Sequence, residues 1–215
     1  MNYDAHNLPA KSETDHLMEA ASADSGFEKL LKYKRPRYYC DGEEVKMGTQ
    51  YVAHCVGWTK CWVKFRDGEM KERHLYRVST NERVPAREEL DDNVESEWEI
   101  GPQSGRPSDP WVYQYLLPLQ NPESGEVVYF VTHSQGGKRA VADLVAEYGR
   151  RRNRTGQGNQ PIIALDEGVL KSPRYGDVPR PYFRVIDWEA GAKEPIREIN
   201  AGTIKKDDMD DDIPF

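Results

Sequence analysis

Basic and aromatic residues are interleaved in two segments of the chain, and a third segment is basic alone. A lysine or arginine can pair with a phosphate while a neighbouring aromatic ring stacks on a nucleobase, contributing about 1–3 kcal/mol per base. These residue types therefore predict contacts with an unpaired nucleic-acid strand. The predicted contact residues are Lys32, Tyr33, Lys34, Arg35, Arg37, Tyr38 and Tyr39, then Trp58, Lys60, Trp62 and Lys64, and finally Arg150, Arg151 and Arg152.

Each of these assignments has a structural alternative. An aromatic residue on a strand is more often core than a stacking platform, and Phe130, Phe183 and Trp188 are predicted to be core. The 33–39 segment is cationic and interrupted by proline, so we expect it to be exposed. The basic run at 150–154 could be no more than a solvated helix end. Further stacking candidates are Trp111, Tyr113, Tyr115 and Tyr175.

A second kind of chemistry is concentrated in residues 207–215. Five aspartates there precede or flank a short apolar ending, and so many carboxylates with so little apolar surface predict a disordered segment. The final ring and carboxylate suit an apolar pocket with a basic rim on another protein. A tail that only confers solubility is the alternative, but it would not need Ile-Pro-Phe. The residues predicted to bind a protein partner are Asp210, Asp211, Asp212, Ile213, Pro214 and Phe215.

This ending closely resembles the acidic C-terminal tip of bacterial and phage single-stranded DNA-binding proteins, residue by residue from Asp210 to Phe215. In that family the tip recruits replication, recombination and repair enzymes to exposed single strands, and its proline and phenylalanine supply most of the contact. The resemblance implies the same role for Pro214 and Phe215. It covers about nine residues. The body upstream does not match the family's DNA-binding domain, so its fold is argued from its own residues.

Charge is distributed unevenly along the chain. The net charge is −7 over 215 residues, but residues 1–26 contribute −4 and residues 207–215 contribute −5, which leaves +2 for the body. A weakly basic body with clustered cations is compatible with a phosphate backbone. There is no apolar run long enough for a membrane span and no signal segment. Three cysteines without a framework spacing fit a reducing compartment. We therefore expect a cytoplasmic protein, in a bacterium or in the host of a phage.

Residues that often build metal or enzyme sites lack the necessary spacing. Cys40, Cys55 and Cys61 do not form the close pairs of a structural zinc site, and the last two are expected to be buried. The Ser-Gln-Gly-Gly-Lys stretch at 134–138 lacks the phosphate-loop pattern and is interpreted as a helix start. The sequence therefore predicts no metal, no cofactor and no enzymatic activity. A DNA-processing site assembled from scattered residues is the weakest alternative.

Alternating apolar and polar residues predict a series of strands that would position these groups. The Asp67-Gly68 pair predicts a tight hairpin between strands at about 60–65 and 70–78. Because side chains alternate along a strand, Trp62 and Lys64 should share one face. The opposite face would carry Cys61, Val63 and Phe65. Further strands are predicted at about 51–56, 111–119, 126–132, 161–165 and 181–188.

One helix is predicted from about Gly137 to Arg151, capped by Ser134 and buried along one face. Residues 79–109 should form a long surface excursion in which the acidic stretch 88–99 faces water, and residues 171–180 should form a basic loop. Several antiparallel strands, one late helix and two more strands predict a mainly β fold, an OB-fold-like Greek-key barrel. Another kind of helix-capped antiparallel sheet would have nearly the same order of strands and helix.

The predicted domain organisation has four parts: a disordered acidic N-terminal arm at 1–26, an OB-like domain at 27–190, a linker at 191–206 and the tip at 207–215. The leading hypothesis is a protein that coats single-stranded DNA and recruits replication, recombination and repair proteins through its tip. It would have DNA and those proteins as partners, and it could form a homo-oligomer. The alternative is a decoy that captures tip-reading enzymes without binding DNA. Stacking and phosphate contacts serve RNA as well as DNA, so the sequence does not separate the two.

Overall fold

The computed structural model describes residues 29–101, 105–173 and 175–189. The predicted N-terminal arm, the linker and the acidic tip from Asp210 to Phe215 lie outside the described residues. The predicted domain at 27–190 is thus described except at residues 27, 28, 102–104, 174 and 190.

Ten β-strands and one α-helix make up the described residues, with short 3-10 turns between some of them. The strands are β1 (Lys29–Lys34), β2 (Arg37–Cys40), β3 (Glu43–Val45), β4 (Gln50–Ala53), β5 (Thr59–Arg66), β6 (Glu69–Arg77), β7 (Trp111–Gln120), β8 (Val127–Thr132), β9 (Pro161–Ser172) and β10 (Gly176–Trp188), and the helix is α1 (Gln135–Thr155). The predicted class is confirmed: the fold is mainly β with one helix, and its strongly curled half-barrel sheet is consistent with an OB-like barrel.

Strand β7 organises the sheet. Along one edge it pairs first with β5 and then with β4, which are separated by a 3-10 turn at Cys55–Gly57, and along its other edge it pairs with β8. Strand β5 continues to β6, whereas the main path runs β10-β9-β4-β7-β8-β1-β2-β3. Because β4 and β5 lead to different neighbours, the sheet divides and curls around β7.

The hairpin formed by β5 and β6 has the predicted turn. Asp67 and Gly68 adopt φ angles of 55° and 72°, a left-handed pair that Asp-Gly turns adopt readily. Strand β6 carries one extra residue, Lys71, opposite the step from Lys64 to Phe65. This β-bulge shifts the pairing of β6 by one residue beyond that point.

Helix α1 is held against the sheet at its start. The Ser134 hydroxyl caps it, as predicted, by accepting a hydrogen bond from the backbone N–H of Gly137 at 3.0 Å. A Cβ at Gly137 would clash with the side chain of Thr132 on β8, so only glycine permits this approach. The predicted apolar face is confirmed because Ala140, Val141, Leu144 and Tyr148 are all buried.

Two hydrophobic clusters lie on opposite faces of the sheet. The larger one packs under α1 and includes Phe130 and Phe183, as predicted, with Trp188 half-buried at its border. The smaller one confirms the predicted alternation along β5. Its buried members are Cys61, Val63, Phe65, Leu116 and Val131. Full burial of a large apolar side chain contributes about 1.5–3 kcal/mol.

Residues 171–180 differ from prediction, because most of them belong to strands rather than to a loop. Strands β9 and β10 pair from Pro161 to Ser172. Pro179 and Pro181 are accommodated since β10 is an edge of the described sheet, where a missing N–H breaks no ladder.

The predicted surface excursion between β6 and β7 is present. It contains 3-10 turns at Arg87–Glu89 and Glu95–Glu97, and none of its described residues from 78 to 109 is buried. No helix in the described ranges has the length and hydropathy needed to cross a membrane.

Candidate nucleic-acid interface

Strands β5, β6 and β7 present three rows of side chains on one face, which we term the aromatic face. Directly paired residues point to the same side of a sheet, so the strand register defines the rows. The rows are Tyr76–Lys60–Tyr115, His74–Trp62–Tyr113 and Glu72–Lys64–Trp111. Further along β7 the same side carries Leu117 and Leu119, which are buried under α1. The aromatic face is therefore the continuation of the core side of the sheet beyond the start of the helix.

Four rings on or beside this face form a continuous chain of contacts. The ring centres of Trp62 and Tyr113 are 4.9 Å apart, those of Tyr113 and Tyr115 are 5.7 Å apart, and those of Tyr115 and Trp58 are 5.2 Å apart. All four side chains are partly exposed. Part of each ring is thus available to a stacking partner while the rest is fixed by its neighbours.

Two lysines lie over these rings. The Nζ atom of Lys60 is 5.3 Å from the Trp58 ring centre and 5.9 Å from that of Tyr115, and the Nζ atom of Lys138 is 5.5 Å from that of Tyr113. Lys138 comes from the first turn of α1, so the helix supplies a cation to the sheet face. Burial lowers the pKa of Lys138 from its ordinary value. The arrangement places a cation beside each of two ring pairs, as phosphate and base recognition by an unpaired strand requires.

In the third row, carboxylates already pair with the lysine. Lys64 was predicted to bind nucleic acid, but its Nζ atom lies 2.7 Å from Asp91, 2.9 Å from Asp92 and 3.1 Å from Glu72, and its side chain is 11% exposed. These contacts raise the pKa of Lys64, and the hydrogen bond to Asp91 makes the largest contribution. Its neighbour Arg66 pairs with Asp92 at 2.7 Å. Asp91 and Asp92 therefore do not simply face water, and Lys64 is already paired in this structure.

The structure does not bring the 32–39 segment to the aromatic face, because the segment lies in β1 and β2, and β8 separates β1 from β7 in the sheet order. The expected exposure is wrong for Tyr33 and Tyr38, which are 4% and 0% exposed. They are cross-strand partners in the hairpin of β1 and β2, and both rings join the larger cluster. The Tyr33 hydroxyl donates a hydrogen bond to Glu167 Oε2, and the Tyr38 hydroxyl donates one to the Asp166 carbonyl, each at 2.8 Å.

The remaining residues of that segment are more accessible. Lys34, Arg35 and Arg37 are exposed, and Arg37 pairs with Glu44 at 2.6 Å. Lys32 and Tyr39 are half-buried. Any contact they make with nucleic acid would be separate from the aromatic face.

The basic helix end lies at the other end of α1 from Lys138. Lys138 and Arg151 are 13 positions apart in the helix, which at about 1.5 Å per residue separates them by about 20 Å along its axis. Arg150 and Arg152 are exposed, whereas the Arg151 guanidinium stacks 4.4 Å from the Trp188 ring centre. Of the additional stacking candidates, Trp111 is 4% exposed and Tyr175 lies on the turn between β9 and β10, outside the aromatic face.

Three members of the site were missed by sequence reasoning: His74, Tyr76 and Lys138. The Asp67-Gly68 turn sets the pairing of β5 with β6 where the hairpin begins. If that pairing continued unchanged, Arg73 and Leu75 would lie on the aromatic face. The bulge at Lys71 shifts the pairing by one residue and places His74 and Tyr76 there. Lys138 was recognised only as part of a helix start. Its position over Tyr113 depends on the close approach of α1 to β8 at Gly137.

Comparisons with known proteins leave the site to be interpreted from its geometry. No family model, no curated protein and no solved structure matches the chain. In the described part of the chain, no three His, Cys, Asp or Glu side chains converge in a way that could hold a metal ion.

Proposed function

We propose that this chain is a single-stranded DNA-binding protein whose aromatic face holds the strand. The observation that carries the proposal is the chain of rings from Trp62 through Tyr113 and Tyr115 to Trp58, with Lys60 and Lys138 over it. Stacked bases would lie on the exposed parts of the rings, and the two ammonium groups would pair with phosphates.

The composition of the face favours an unpaired strand over a duplex. Base faces are hidden inside a duplex, so exposed rings gain a stacking partner only when the bases are unpaired. Stacking on rings also tolerates any base, since every base has a flat face. We therefore expect little sequence preference.

The acidic tip supplies the second half of the proposal. Residues Asp210 to Phe215 would recruit replication, recombination and repair proteins to the DNA that the body holds, as their resemblance to the family's tip implies. The terminal ring offers apolar contact, and the carboxylates offer ion pairs to a basic rim. The body and the tip would then bind different partners.

A second candidate is the decoy, which captures tip-reading enzymes without binding DNA. The observation in its favour is that two cations of β5, Lys64 in the third row of the aromatic face and Arg66 beyond it, are already paired with Asp91 and Asp92. The decoy requires tip-dependent binding to those enzymes and no affinity for DNA, whereas the leading proposal requires both.

Anisotropy of a labelled oligo-dT tests the proposal with the full chain. Tyr113→Ala should weaken binding by about 5- to 150-fold, since one stacked base contributes about 1–3 kcal/mol. Tyr175→Ala removes an exposed tyrosine outside the face and should leave affinity unchanged. No binding of oligo-dT by the wild-type chain at low salt would reject the proposal and favour the decoy.

A further inference from the structure

Residues 85–99, which we term the acidic cover, lie across one end of the aromatic face. Asp91 and Asp92 contact Lys64 at 2.7 and 2.9 Å, and Asp92 also contacts Arg66 at 2.7 Å. The cover accepts hydrogen bonds from two tryptophans of the face as well. Trp62 Nε1 donates to the Pro85 carbonyl at 3.1 Å, and Trp111 Nε1 donates to Asp91 Oδ1 at 2.8 Å.

The cover is attached through polar contacts rather than through a hydrophobic core. None of its residues is buried, and its largest exposed aliphatic side chain, Val94, is 52% exposed. Arg87 ties it to the beginning of β7 through Asp109 at 2.7 Å and shapes it by donating to the Asp91 and Asp92 carbonyls at 3.0 and 2.9 Å. A segment held by ion pairs and hydrogen bonds, with no buried residue of its own, opens at lower free energy than the core.

We propose that the acidic cover is an intramolecular competitor of the DNA strand, in which Asp91 and Asp92 occupy the positions that phosphates would take on Lys64 and Arg66. The inference rests on the proposed function of the aromatic face. A bound strand displaces the cover and extends its contacts from the first two rows to the third.

The spacing of the rows makes the competition direct. Alternate residues of a strand are about 7 Å apart, so a base stacked on Trp62 brings its phosphate close to Lys64. That separation is within a Debye length at physiological ionic strength, about 8 Å, so the Asp91 and Asp92 carboxylates repel the strand. Release of the cover removes this repulsion and provides two further cations.

The test compares two double variants that each remove two negative charges from the cover. Asp91→Asn with Asp92→Asn removes the charges that pair with Lys64 and Arg66. Glu95→Gln with Glu97→Gln is the matched control, because both glutamates are exposed and their carboxylates are not among those paired with Lys64 or Arg66. Affinity for oligo-dT is measured for both variants and the wild type at several salt concentrations.

The aspartate variant should bind oligo-dT about tenfold more tightly at low salt. This gain should shrink as salt is raised, because salt screens the repulsion that the wild-type carboxylates exert on the strand, so the variant's plot of log K against log salt should be steeper than that of the wild type. The control should keep the wild-type slope. Equal effects of the two variants, or an unchanged slope in the aspartate variant, would overturn the inference while leaving the proposed function intact.

Hydrogen exchange of the wild-type chain provides a readout that requires no substitution. Amides of residues 85–99 should exchange faster when oligo-dT is bound. Slower exchange would show that the cover clamps the strand, which contradicts displacement. If neither the wild type nor the aspartate variant binds oligo-dT, the proposed function itself has failed, and the inference fails with it.

Discussion

The ammonium nitrogen of Lys138 lies 5.5 Å from the centre of the Tyr113 ring. This contact joins the first turn of α1 to the beginning of β7, elements that are separated in sequence by β8. It places a cation over the central row of the aromatic face, next to the pair formed by Tyr113 and Trp62. The helix therefore contributes to the candidate site as well as to the core.

Replacement of this lysine should reveal its role. Lys138→Gln should reduce the dependence of oligo-dT affinity on salt by about 0.7 in log–log slope, as the loss of one phosphate contact predicts. Lys46→Gln, at an exposed lysine between β3 and β4, should leave the slope unchanged. An unchanged slope for Lys138→Gln would remove Lys138 from the site.

The same lysine should give the binding a characteristic pH dependence. Because burial lowers the pKa of Lys138, its ammonium form is lost at a lower pH than that of an exposed lysine. The charged form binds phosphate, so its contribution is present below the lowered pKa and disappears as pH rises through it. Between about pH 7.5 and about pH 10, wild-type affinity should fall more than that of Lys138→Gln. Parallel curves for the two proteins would contradict this assignment.

The approach of α1 to β8 should depend on Gly137. Gly137→Ala forces a Cβ against Thr132 and should lower the free energy of unfolding by about 1–3 kcal/mol, as overpacking does. Gly149→Ala, in the same helix, meets no atom within 4 Å and should raise it by about 0.5–1 kcal/mol. Urea denaturation measures both values. If Gly137→Ala had the same free energy of unfolding as the wild type, the start of the helix would be able to shift away from Thr132 without loss of stability.

Tyr38 should affect stability and not DNA binding. Its hydroxyl donates to the Asp166 carbonyl at 2.8 Å and accepts from the Tyr182 N–H at 3.2 Å. Tyr38→Phe loses both bonds and should destabilise the fold by about 1–3 kcal/mol, because buried partners are left unsatisfied. Oligo-dT affinity measured on the folded variant should equal that of the wild type. A loss of affinity would restore the 32–39 segment to the candidate interface.

The tip should act independently of the body. Deletion of Pro214 and Phe215 should abolish binding to enzymes that recognise the tips of bacterial single-stranded DNA-binding proteins, and should leave oligo-dT affinity unchanged or raised. Met209→Ala, just outside the six tip residues, is the control and should retain enzyme binding. Calorimetric titration with such an enzyme measures the effect. Full enzyme binding by the deleted chain would refute the recruiting role.

Three local features of the structure followed from local sequence signals. The Asp67-Gly68 turn, the Ser134 cap and the alternation along β5 each depend on neighbouring residues, and the structure confirms all three. Burial of Phe130 and Phe183 followed from their apolar strands. The mainly β class with one late helix followed from the order of these elements.

Contacts between distant segments could not be predicted in the same way. The burial of Tyr33 and Tyr38 depends on the parallel pairing of β1 with β8, about 100 residues away. The ion pair between Lys64 and Asp91 spans 27 residues and closes a long excursion with no periodicity to reveal its path. A single inserted residue, Lys71, reversed the face on which β6 side chains lie.

The most direct test of the account is a titration of intrinsic tryptophan fluorescence with dT and rU oligomers at two salt concentrations. Trp62 and Trp58 lie in the chain of rings, so a strand stacked on the aromatic face should quench their emission, with an affinity that falls as salt rises. Tyr113→Ala should weaken this response without removing a tryptophan. Quenching that is absent at low salt, or that is identical in wild type and Tyr113→Ala, would contradict the claim that the aromatic face binds an unpaired strand.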